Sequence, residues 1–502
     1  MLKGLSNRSA RLATKGVFLL ALLSLGACVT DPLAPAEASK TTLPEKQAIL
    51  LPPAPPRTTA LDGVSAREHQ RLVASFGGEY KAPQAQILLG ELITRLSQAT
   101  ERPSERYQVT LLNSPVVNAF ALPNGNIYIT RGLLVLANDT AEIASVLAHE
   151  MAHVITRHAV DRQELERTAN LVDRVRSDVL QDPQAAKALN VQGRVAIASF
   201  SRQQELEADA LSVRIIARAG FDPYGATRFL DSLGRTTAIR VALLGGSANA
   251  QNADITATHP SAPERIQLAT LAARQIGAPG IGEAERNRYL LAVQGVVVAD
   301  DSTQGFVRSG VFSHPRLGIT FTAPPGFVLE NGKEAVVGFS PEGGKAMRFD
   351  QVKPEPGSSL ESYVGSGLID GATASGVESL TLGDLPAATS LTRSDGWSYR
   401  IFAMRNGAQT FRLTYAAREL TPALDNEFRQ SAQSFRRLTA QEISGLKPAK
   451  IALVTAANGD TAETLANRMV ADEPRLERFR VLNGLQISDR IFAGQRYKII
   501  SD

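Results

Sequence analysis

The spacing of apolar residues changes character along this chain. Up to about residue 300, apolar side chains recur every three to four positions, which is the period of an amphipathic helix. Helices are predicted in this way at Ser65–Phe76, Pro83–Gln98 and Glu283–Val298. Beyond residue 300, apolar and polar residues alternate over short runs, which is typical of strands. The pattern therefore predicts a mainly helical region followed by a β-rich one.

Short strands are also predicted within each region. Tyr107–Leu112, Val116–Ala121 and Ile127–Thr130 interrupt the helical region, and Asn124-Gly125 before the last of them is a strong hairpin turn signal. The β-rich region is predicted to contain five strands and a closing helix at Leu317–Thr322, Ala335–Phe339, Ala346–Val352, Trp397–Arg405, Gln409–Tyr415 and Pro422–Ser434. Strands followed by a packed helix favour an α+β domain.

The clearest helical stripe lies in the segment Val146–His158, VLAHEMAHVITRH. His149 and His153 are four residues apart, so their imidazoles lie on one helix face and can reach one metal ion. Glu150 points to the side, where its carboxylate can hold a water molecule without being a ligand. Asp139 supplies the predicted N-terminal cap of this helix. His-Glu-x-x-His is the pattern of zinc hydrolases.

A zinc ion held by two histidines needs a third protein ligand. A later helix is predicted to begin at Ser201, which forms a capping box with Gln204. Glu205 and Asp209 share one face of it. Glu205 can serve as the third ligand, and Asp209 can accept a hydrogen bond from a ligating imidazole. Glu207 points elsewhere and is the alternative ligand.

A further histidine precedes the next predicted helix. Thr258-His259-Pro260 leads into a helix capped by Ser261, with Arg265 on its first turn. A histidine placed immediately before a helix is free to turn into a cleft.

Together these motifs resemble the gluzincin metallopeptidase family of the CAAX prenyl protease and HtpX. The resemblance covers roughly Asp62–Arg274 and includes Asn118-Ala119-Phe120-Ala121, which fits the substrate-side strand of that family. The integral-membrane members carry spanning helices that no later apolar stretch of this chain provides. The closer similarity is therefore to the periplasmic, β-barrel-assembly-enhancing type of protease.

The resemblance implies a role for each matching residue. One zinc ion would be held by His149, His153 and Glu205, with Glu150 as the base and Asp209 and Arg265 supporting the ligands. His259 would either stabilise the tetrahedral intermediate or occupy the open zinc position in a resting state. Asn118, Ala119 and Phe120 are candidates for the strand that pairs with an extended substrate.

The amino terminus predicts export and lipid attachment. A basic start and the apolar run Val17–Leu25 are typical of a signal peptide. Leu25-Gly26-Ala27-Cys28 resembles the lipobox of bacterial lipoproteins, and lipidation would account for Cys28, the only cysteine. Because Val29 follows it rather than aspartate, the resemblance implies the outer membrane of a Gram-negative bacterium, facing the periplasm.

Charge gives no indication of a nucleic-acid partner. Four of the 54 basic residues precede Cys28, so 50 basic and 50 acidic residues remain after it. The exported chain is then formally neutral, and no nucleic acid is expected as a partner.

The carboxyl-terminal segment Ile451–Ile500 resembles a LysM module, a βααβ fold that binds glycans such as peptidoglycan. The matching residues are Gly459-Asp460-Thr461, Leu465-Ala466, Asn483-Gly484, Gly494-Gln495, Tyr497 and Ile499. A small βααβ domain without glycan affinity is the alternative.

The fold class predicted is α+β multidomain: a mainly helical zincin domain with a small sheet, an α+β sandwich-like domain, and a βααβ module. The predicted parts are a lipoprotein signal peptide (1–27), a proline-rich tether (28–61), the zinc metallopeptidase domain (62–300), an α+β domain of unknown role (301–440) and the LysM-like module (448–502).

The function predicted is a zinc-dependent endopeptidase acting on envelope proteins or misfolded outer-membrane proteins. Its expected partners are protein substrates, the outer-membrane β-barrel assembly machinery, and peptidoglycan through the tail. Two alternatives remain: a chaperone or assembly factor whose metal site is latent and plugged by His259, and a peptidoglycan-bound scaffold in which the LysM-like module does the main job.

Overall fold

The computed structural model describes residues 63–162, 164, 183–243, 259, 263–332, 334–369 and 372–502, all within one compact unit that spans residues 51–502. The signal peptide, Cys28, the proline-rich tether, the His259 neighbours Thr258 and Pro260, and the Ser261 cap lie outside these residues. The described chain is α+β, with helices and several separate sheets. None of the described helices combines the length and the apolar character needed to cross a bilayer.

The helical region contains a small sheet near its start. Its elements are α1 (Gly63–Ser75), α2 (Pro83–Ala99), β1 (Gln108–Leu112), β2 (Ala119–Ala121), β3 (Asn126–Thr130), α3 (Arg131–Leu136), α4 (Thr140–Ile155), α5 (Pro183–Arg218), α6 (Gly225–Leu243), α7 (Pro263–Ile276) and α8 (Arg286–Val293). The strand order is β1-β3-β2, with β1 parallel and β2 antiparallel to β3. Strand β2 therefore lies at an edge.

Strand β2 is shorter than the predicted Val116–Ala121. The Thr130 hydroxyl contacts the carbonyl oxygens of Val116 at 2.6 Å and Asn118 at 2.9 Å. It also accepts a hydrogen bond from the Asn118 N–H at 3.0 Å. The Thr130 side chain thus supplements the one backbone bond here, from the Thr130 N–H to the Asn118 carbonyl at 3.0 Å. At the hairpin turn, Gly125 has a φ of +86°, a conformation that glycine adopts at no steric cost.

Helix α4 occupies the centre of the helical region. Its N-terminus is fixed by Asp139, whose Oδ1 accepts a hydrogen bond from the Glu142 N–H at 2.8 Å. All sixteen of its residues are buried, because helices α2, α5 and α6 surround it. A helix enclosed in this way holds its side chains in fixed positions, as a metal site requires.

Helix α5 begins much earlier than predicted. It starts at Pro183, so Ser201 lies inside the helix and the predicted capping box of Ser201 and Gln204 is wrong. Proline is favoured at the first position of a helix, and the alanine-rich segment after it continues the helix through Ser201. The helix ends at Arg218, and Gly220, with a φ of +84°, lies just beyond it.

The β-rich region consists of two antiparallel sheets. Its elements are β4 (Phe306–Arg308), β5 (Val311–His314), β6 (Ile319–Thr322), β7 (Val328–Asn331), β8 (Ala335–Phe339), β9 (Lys345–Val352), α9 (Leu360–Gly365), β10 (Ala374–Leu382), β11 (Leu385–Ser394), β12 (Trp397–Asn406), β13 (Gln409–Ala417), α10 (Pro422–Gln433), β14 (Arg436–Arg437) and α11 (Ala440–Gly445). The sheet orders are β10-β11-β12-β13-β9-β8-β7 and β14-β6-β5-β4. Phenylalanines from both sheets and α10 form their common core.

The carboxyl-terminal segment has the order β15 (Lys450–Thr455), α12 (Ala462–Ala466), α13 (Arg475–Leu482) and β16 (Arg496–Ser501). Strands β15 and β16 pair antiparallel. Phe479, Leu482 and Tyr497 belong to the same hydrophobic core as α2, α3 and α4. This βααβ segment is therefore packed directly on the helical region.

Backbone pairing joins the same two regions. The Ile451 carbonyl accepts a hydrogen bond from the Gly295 N–H at 2.8 Å, and the Ile451 N–H donates to the Val296 carbonyl at 2.9 Å. The predicted helix Glu283–Val298 is correspondingly wrong at both ends, since α8 covers Arg286–Val293 only. Gly295 has a φ of +83° and redirects the chain into an extended segment along β15.

A buried lysine adds a further contact between these regions. Lys498, on β16, is fully buried. Its side-chain nitrogen donates to the carbonyl oxygens of Val135 and Ala137, each at 2.7 Å, where α3 ends. The carbonyls at the end of a helix lack partners within the helix, so a donor placed there satisfies them.

Candidate metal centre

Helix α4 presents two imidazoles to one point. The Nε2 atoms of His149 and His153 lie 3.0 Å apart, and their rings are nearly perpendicular, with an interplanar angle of 79°. Both side chains are about nine-tenths buried. Four-residue spacing on one helix produces this convergence, as the sequence predicted.

Glu205 reaches the same point from α5. Its two carboxylate oxygens lie 3.4 Å from His149 Nε2 and 3.4 Å from His153 Nε2. The contact is possible because α5 packs along α4. Burial acts to raise the pKa of Glu205, but His259 and His149 beside it hold that pKa far below its usual value. The carboxylate is therefore ionised.

His259 completes a group of four donors. Its Nδ1 lies 2.9 Å and 3.0 Å from the Glu205 oxygens and 3.3 Å from His149 Nε2. Among the described residues, His149, His153, Glu205 and His259 each offer one ligand atom, and these atoms all lie within 4.8 Å of one another. The sequence placed His259 before a helix but gave no distance to the other three.

Asp209 and Arg265 lie behind the ligands. Asp209 Oδ1 is 3.0 Å from His149 Nδ1, and Arg265 donates to both Asp209 oxygens, from Nε at 2.7 Å and from Nη2 at 2.8 Å. Arg265 Nη1 also lies 3.1 Å from a Glu205 oxygen and donates to the His259 carbonyl at 3.2 Å. One guanidinium thus connects two helices to the segment that carries His259.

The charges around the two α4 histidines differ. Burial disfavours protonation of His149, but Asp209 and Glu205 outweigh it and raise the pKa of His149 to about 10. Burial and the neighbouring imidazoles of His149 and His259 hold the pKa of His153 well below its usual value. His153 is therefore neutral, which is the form that donates a lone pair to a metal, whereas metal binding at His149 would displace a proton.

Glu150 lies beside the cluster without belonging to it. Its Oε1 is buried, has no hydrogen-bond partner among the described residues, and lies 3.7 Å from His259 Nε2. A cavity of about 30 Å³ adjoins it, lined by Glu150, His149 and His259 together with apolar residues of α6. That volume is sufficient for a water molecule, which an unpartnered buried carboxylate oxygen can hold.

Two further residues lie beside the four donors but are not among them. Glu207, the alternative ligand, contacts His158 instead, with 3.4 Å between Glu207 Oε2 and His158 Nε2. His158, the last residue of the Val146–His158 segment, lies with its Nδ1 2.9 Å from His153 Nδ1. Sequence reasoning missed this contact because His158 is five residues from His153 and would lie on another face of a continuous helix.

The candidate substrate strand is at the edge of the small sheet, next to α4. Ala119 is fully buried, and the Phe120 ring stacks on Tyr128 with 4.9 Å between centroids. The Asn118 side-chain oxygen is buried and has no partner among the described residues. The side chain of Ala119 therefore packs inward and that of Phe120 is half-buried against Tyr128, so pairing with another strand would use the backbone of β2.

The donor set fits a zinc ion. Two histidines and one glutamate hold zinc in one group of catalytic sites, which leave a fourth position open. In this chain the three atoms converge, His153 is neutral, and the unpartnered oxygen of Glu150 lies next to them.

Comparison with known proteins points to the same segment. Residues 83–272 match the family described as Peptidase family M48. Over 163 residues, 32% of this chain, the sequence is 34% identical to the mitochondrial metalloendopeptidase OMA1 of Arabidopsis thaliana. Over 189 residues, 36% of this chain, it is 30% identical to the beta-barrel assembly-enhancing protease of Escherichia coli, and over 155 residues, 29% of this chain, 35% identical to that of Yersinia pestis.

These similarities concern one part of each protein. The matched segments cover 30%, 37% and 31% of the Arabidopsis, Escherichia and Yersinia proteins. The chain thus spans about a third of the length of the curated relatives it matches. The β-rich region and the βααβ segment lie outside the residues matched to the family.

Proposed function

We propose that this chain, whose residues 83–272 are homologous to peptidase family M48, is a zinc-dependent endopeptidase. The observation that supports it most is the convergence of His149, His153 and Glu205 beside the buried, unpartnered oxygen of Glu150. Ligands and base come from one helix and its nearest neighbour, so the arrangement depends on only one packing contact, that of α4 with α5.

His149, His153 and Glu205 would hold the zinc ion, which when bound acts as a Lewis acid and lowers the pKa of a water molecule to about 7. Glu150 Oε1 takes the proton of the attacking water and passes it to the leaving amine. Asp209 lies 3.0 Å from His149 Nδ1 and is itself held by two hydrogen bonds from Arg265, so the pair keeps His149 oriented. The backbone of β2 offers an extended substrate a strand to pair with.

The proposed setting is the periplasmic face of the outer membrane, with lipid on Cys28. Support comes from the lipobox-like Leu25-Gly26-Ala27-Cys28. The proposed substrates are envelope proteins or misfolded outer-membrane proteins, since two of the similar proteins are named for β-barrel assembly. The βααβ order of the tail supports the proposal that it contacts peptidoglycan.

Removing Glu205 tests the metal site directly. Glu205→Ala is expected to lower the zinc content of the purified chain from about one ion to a small fraction of one, because only two of the three proposed ligands remain. Casein cleavage should fall with it. Zinc is measured by atomic emission after dialysis against a weak chelator.

A matched control for that experiment is Glu264→Ala. Glu264 is a partly exposed carboxylate paired with Arg202 at the surface, so its loss should change neither zinc content nor cleavage. A Glu205→Ala protein that retains a full complement of zinc would contradict the proposed ligand set, and a wild-type chain without zinc would contradict the proposed function itself.

A latent site is the second candidate function, and the position of His259 favours it. His259 Nδ1 lies among the ligand atoms, so four protein donors surround the point where catalytic sites leave one position open. In this arrangement the chain would act as a chaperone or assembly factor until His259 is displaced.

Replacing His259 separates the two candidates. If His259 blocks the fourth position, His259→Ala is expected to raise casein cleavage several-fold, because the position becomes open to substrate. A decrease would instead assign His259 to the reaction. His314→Ala, in a buried histidine of the β-rich region, is the control and should leave the rate unchanged.

A further inference from the structure

The second α4 ligand, His153, has an imidazole behind it. His158 Nδ1 lies 2.9 Å from His153 Nδ1, and His158 is buried, with 3% of its surface exposed. The other nitrogen of His158, Nε2, lies 3.4 Å from Glu207 Oε2. His153 Nε2 faces His149 and Glu205. The atoms thus form one continuous path from the ligand cluster to a partly exposed carboxylate.

Metal binding would fix the direction of every hydrogen bond along this path. To coordinate through Nε2, a neutral His153 must carry its proton on Nδ1. That N–H then donates to His158 Nδ1, which must present a lone pair. The proton of His158 is therefore on Nε2 and donates to Glu207. Only one tautomer of each histidine satisfies all three contacts.

The chain takes an unusual backbone conformation to place His158 there. Helix α4 ends at Ile155, and Arg157 has a φ of +60°, in the left-handed region that residues with a Cβ rarely adopt. In a continuous helix, His158 would lie about 140° around the axis from His153 and would point away from it. The reversal at Arg157 brings the ring back. Gln204 Nε2 then donates to the His158 carbonyl at 3.1 Å and anchors the turn to α5.

The two ligating histidines are thereby supported in the same way by different groups. Asp209 lies at the outer nitrogen of His149, and His158 lies at the outer nitrogen of His153. Ligating histidines usually donate their second N–H to a carboxylate, a carbonyl or water, and removing that acceptor weakens metal binding. His158 with Glu207 supplies the acceptor on the second side of this site.

We propose that His158 is a positioning residue for His153: its Nδ1 accepts a hydrogen bond from the His153 Nδ1–H and so fixes the tautomer and ring orientation that His153 needs to bind the metal. Because it concerns a ligand of the zinc site, this inference rests on the proposed function. It assigns a role to a histidine outside the His-Glu-x-x-His motif.

The test compares two substitutions of similar size. His158→Leu fills the space but accepts no hydrogen bond, so the affinity for zinc should fall about 10- to 100-fold. His158→Gln offers an amide oxygen to His153 and an amide N–H to Glu207, so it should restore most of that affinity. Affinity is measured on the full chain by competition with a chromogenic chelator. The matched control is His314→Leu, which replaces a buried histidine of the β-rich region and should leave the affinity for zinc unchanged.

Folding is followed separately, by thermal unfolding of each variant in excess chelator. The proposal expects His158→Leu and His158→Gln to unfold at similar temperatures without zinc and to differ once zinc is added. Equal zinc affinity of wild type and His158→Leu would overturn the proposal. It would also be overturned if His158→Gln bound zinc as weakly as His158→Leu. A wild-type chain that binds no zinc would instead refute the proposed function, so the two failures are distinguishable.

Discussion

Glu150→Gln is expected to abolish peptide cleavage while leaving zinc bound. Glutamine keeps the size and position of the side chain, but its amide cannot take a proton from water. Loss of a general base costs about 10²–10⁴ in rate, and more where the same group also delivers the proton to the leaving amine. Because Glu150 is not among the four donors, the metal content should not change.

Cleavage of casein and zinc content are measured on the same preparation. Glu264→Gln, which makes the same chemical change at a partly exposed position, serves as the control. The assignment of Glu150 as the base is refuted by a Glu150→Gln protein that holds zinc and cleaves casein at the wild-type rate. Loss of zinc from this variant would show instead that Glu150 supports the ligands.

Lys498→Met should destabilise the helical region, although Lys498 belongs to the carboxyl-terminal segment. Methionine fits the buried space but leaves the Val135 and Ala137 carbonyls without their donor. Each buried acceptor that loses its partner costs about 1–3 kcal/mol. A total of about 3 kcal/mol corresponds to a decrease in unfolding temperature on the order of 5–10 °C.

Lys450→Met is the matched control for this prediction. Lys450 lies on β15, which pairs with the strand of Lys498, but its side chain is exposed. Its replacement should change the unfolding temperature by no more than about 1–2 °C, as for surface substitutions in general. Two separate unfolding transitions, with only the smaller one shifted by Lys498→Met, would contradict the view that the tail and the helical region unfold together.

Local patterns predicted the parts of the candidate site that lie within one element. The apolar stripe of α4 and the four-residue spacing of His149 and His153 follow from helical geometry alone, and the structure brings both imidazoles together. That Glu205 reaches them depends on the packing of α5 against α4. The sequence could suggest this contact only by chemical analogy, because no local pattern specifies which helices pack together.

The wrong and missed predictions each have their own physical origin. Ser201 has the residue type of a helix cap, but a cap exists only where the helix begins, and the preceding residues continue α5 back to Pro183. His158 was missed because its position depends on a left-handed residue, Arg157, that no local signal marks. Strand β10 was not predicted because most of its residues are exposed, so it lacks the alternation that identifies a half-buried strand.

Strand β15 is bonded along both of its edges, to β16 on one side and to residues 295–298 on the other. The tail therefore has no hinge of its own, and deleting it would open the core of the helical region. A molecule bound to the carboxyl-terminal segment would therefore also fix the orientation of the candidate metal centre. Bound peptidoglycan, as proposed, would hold that centre in one orientation relative to the wall, whereas a segment on a flexible linker would only limit its distance from the wall.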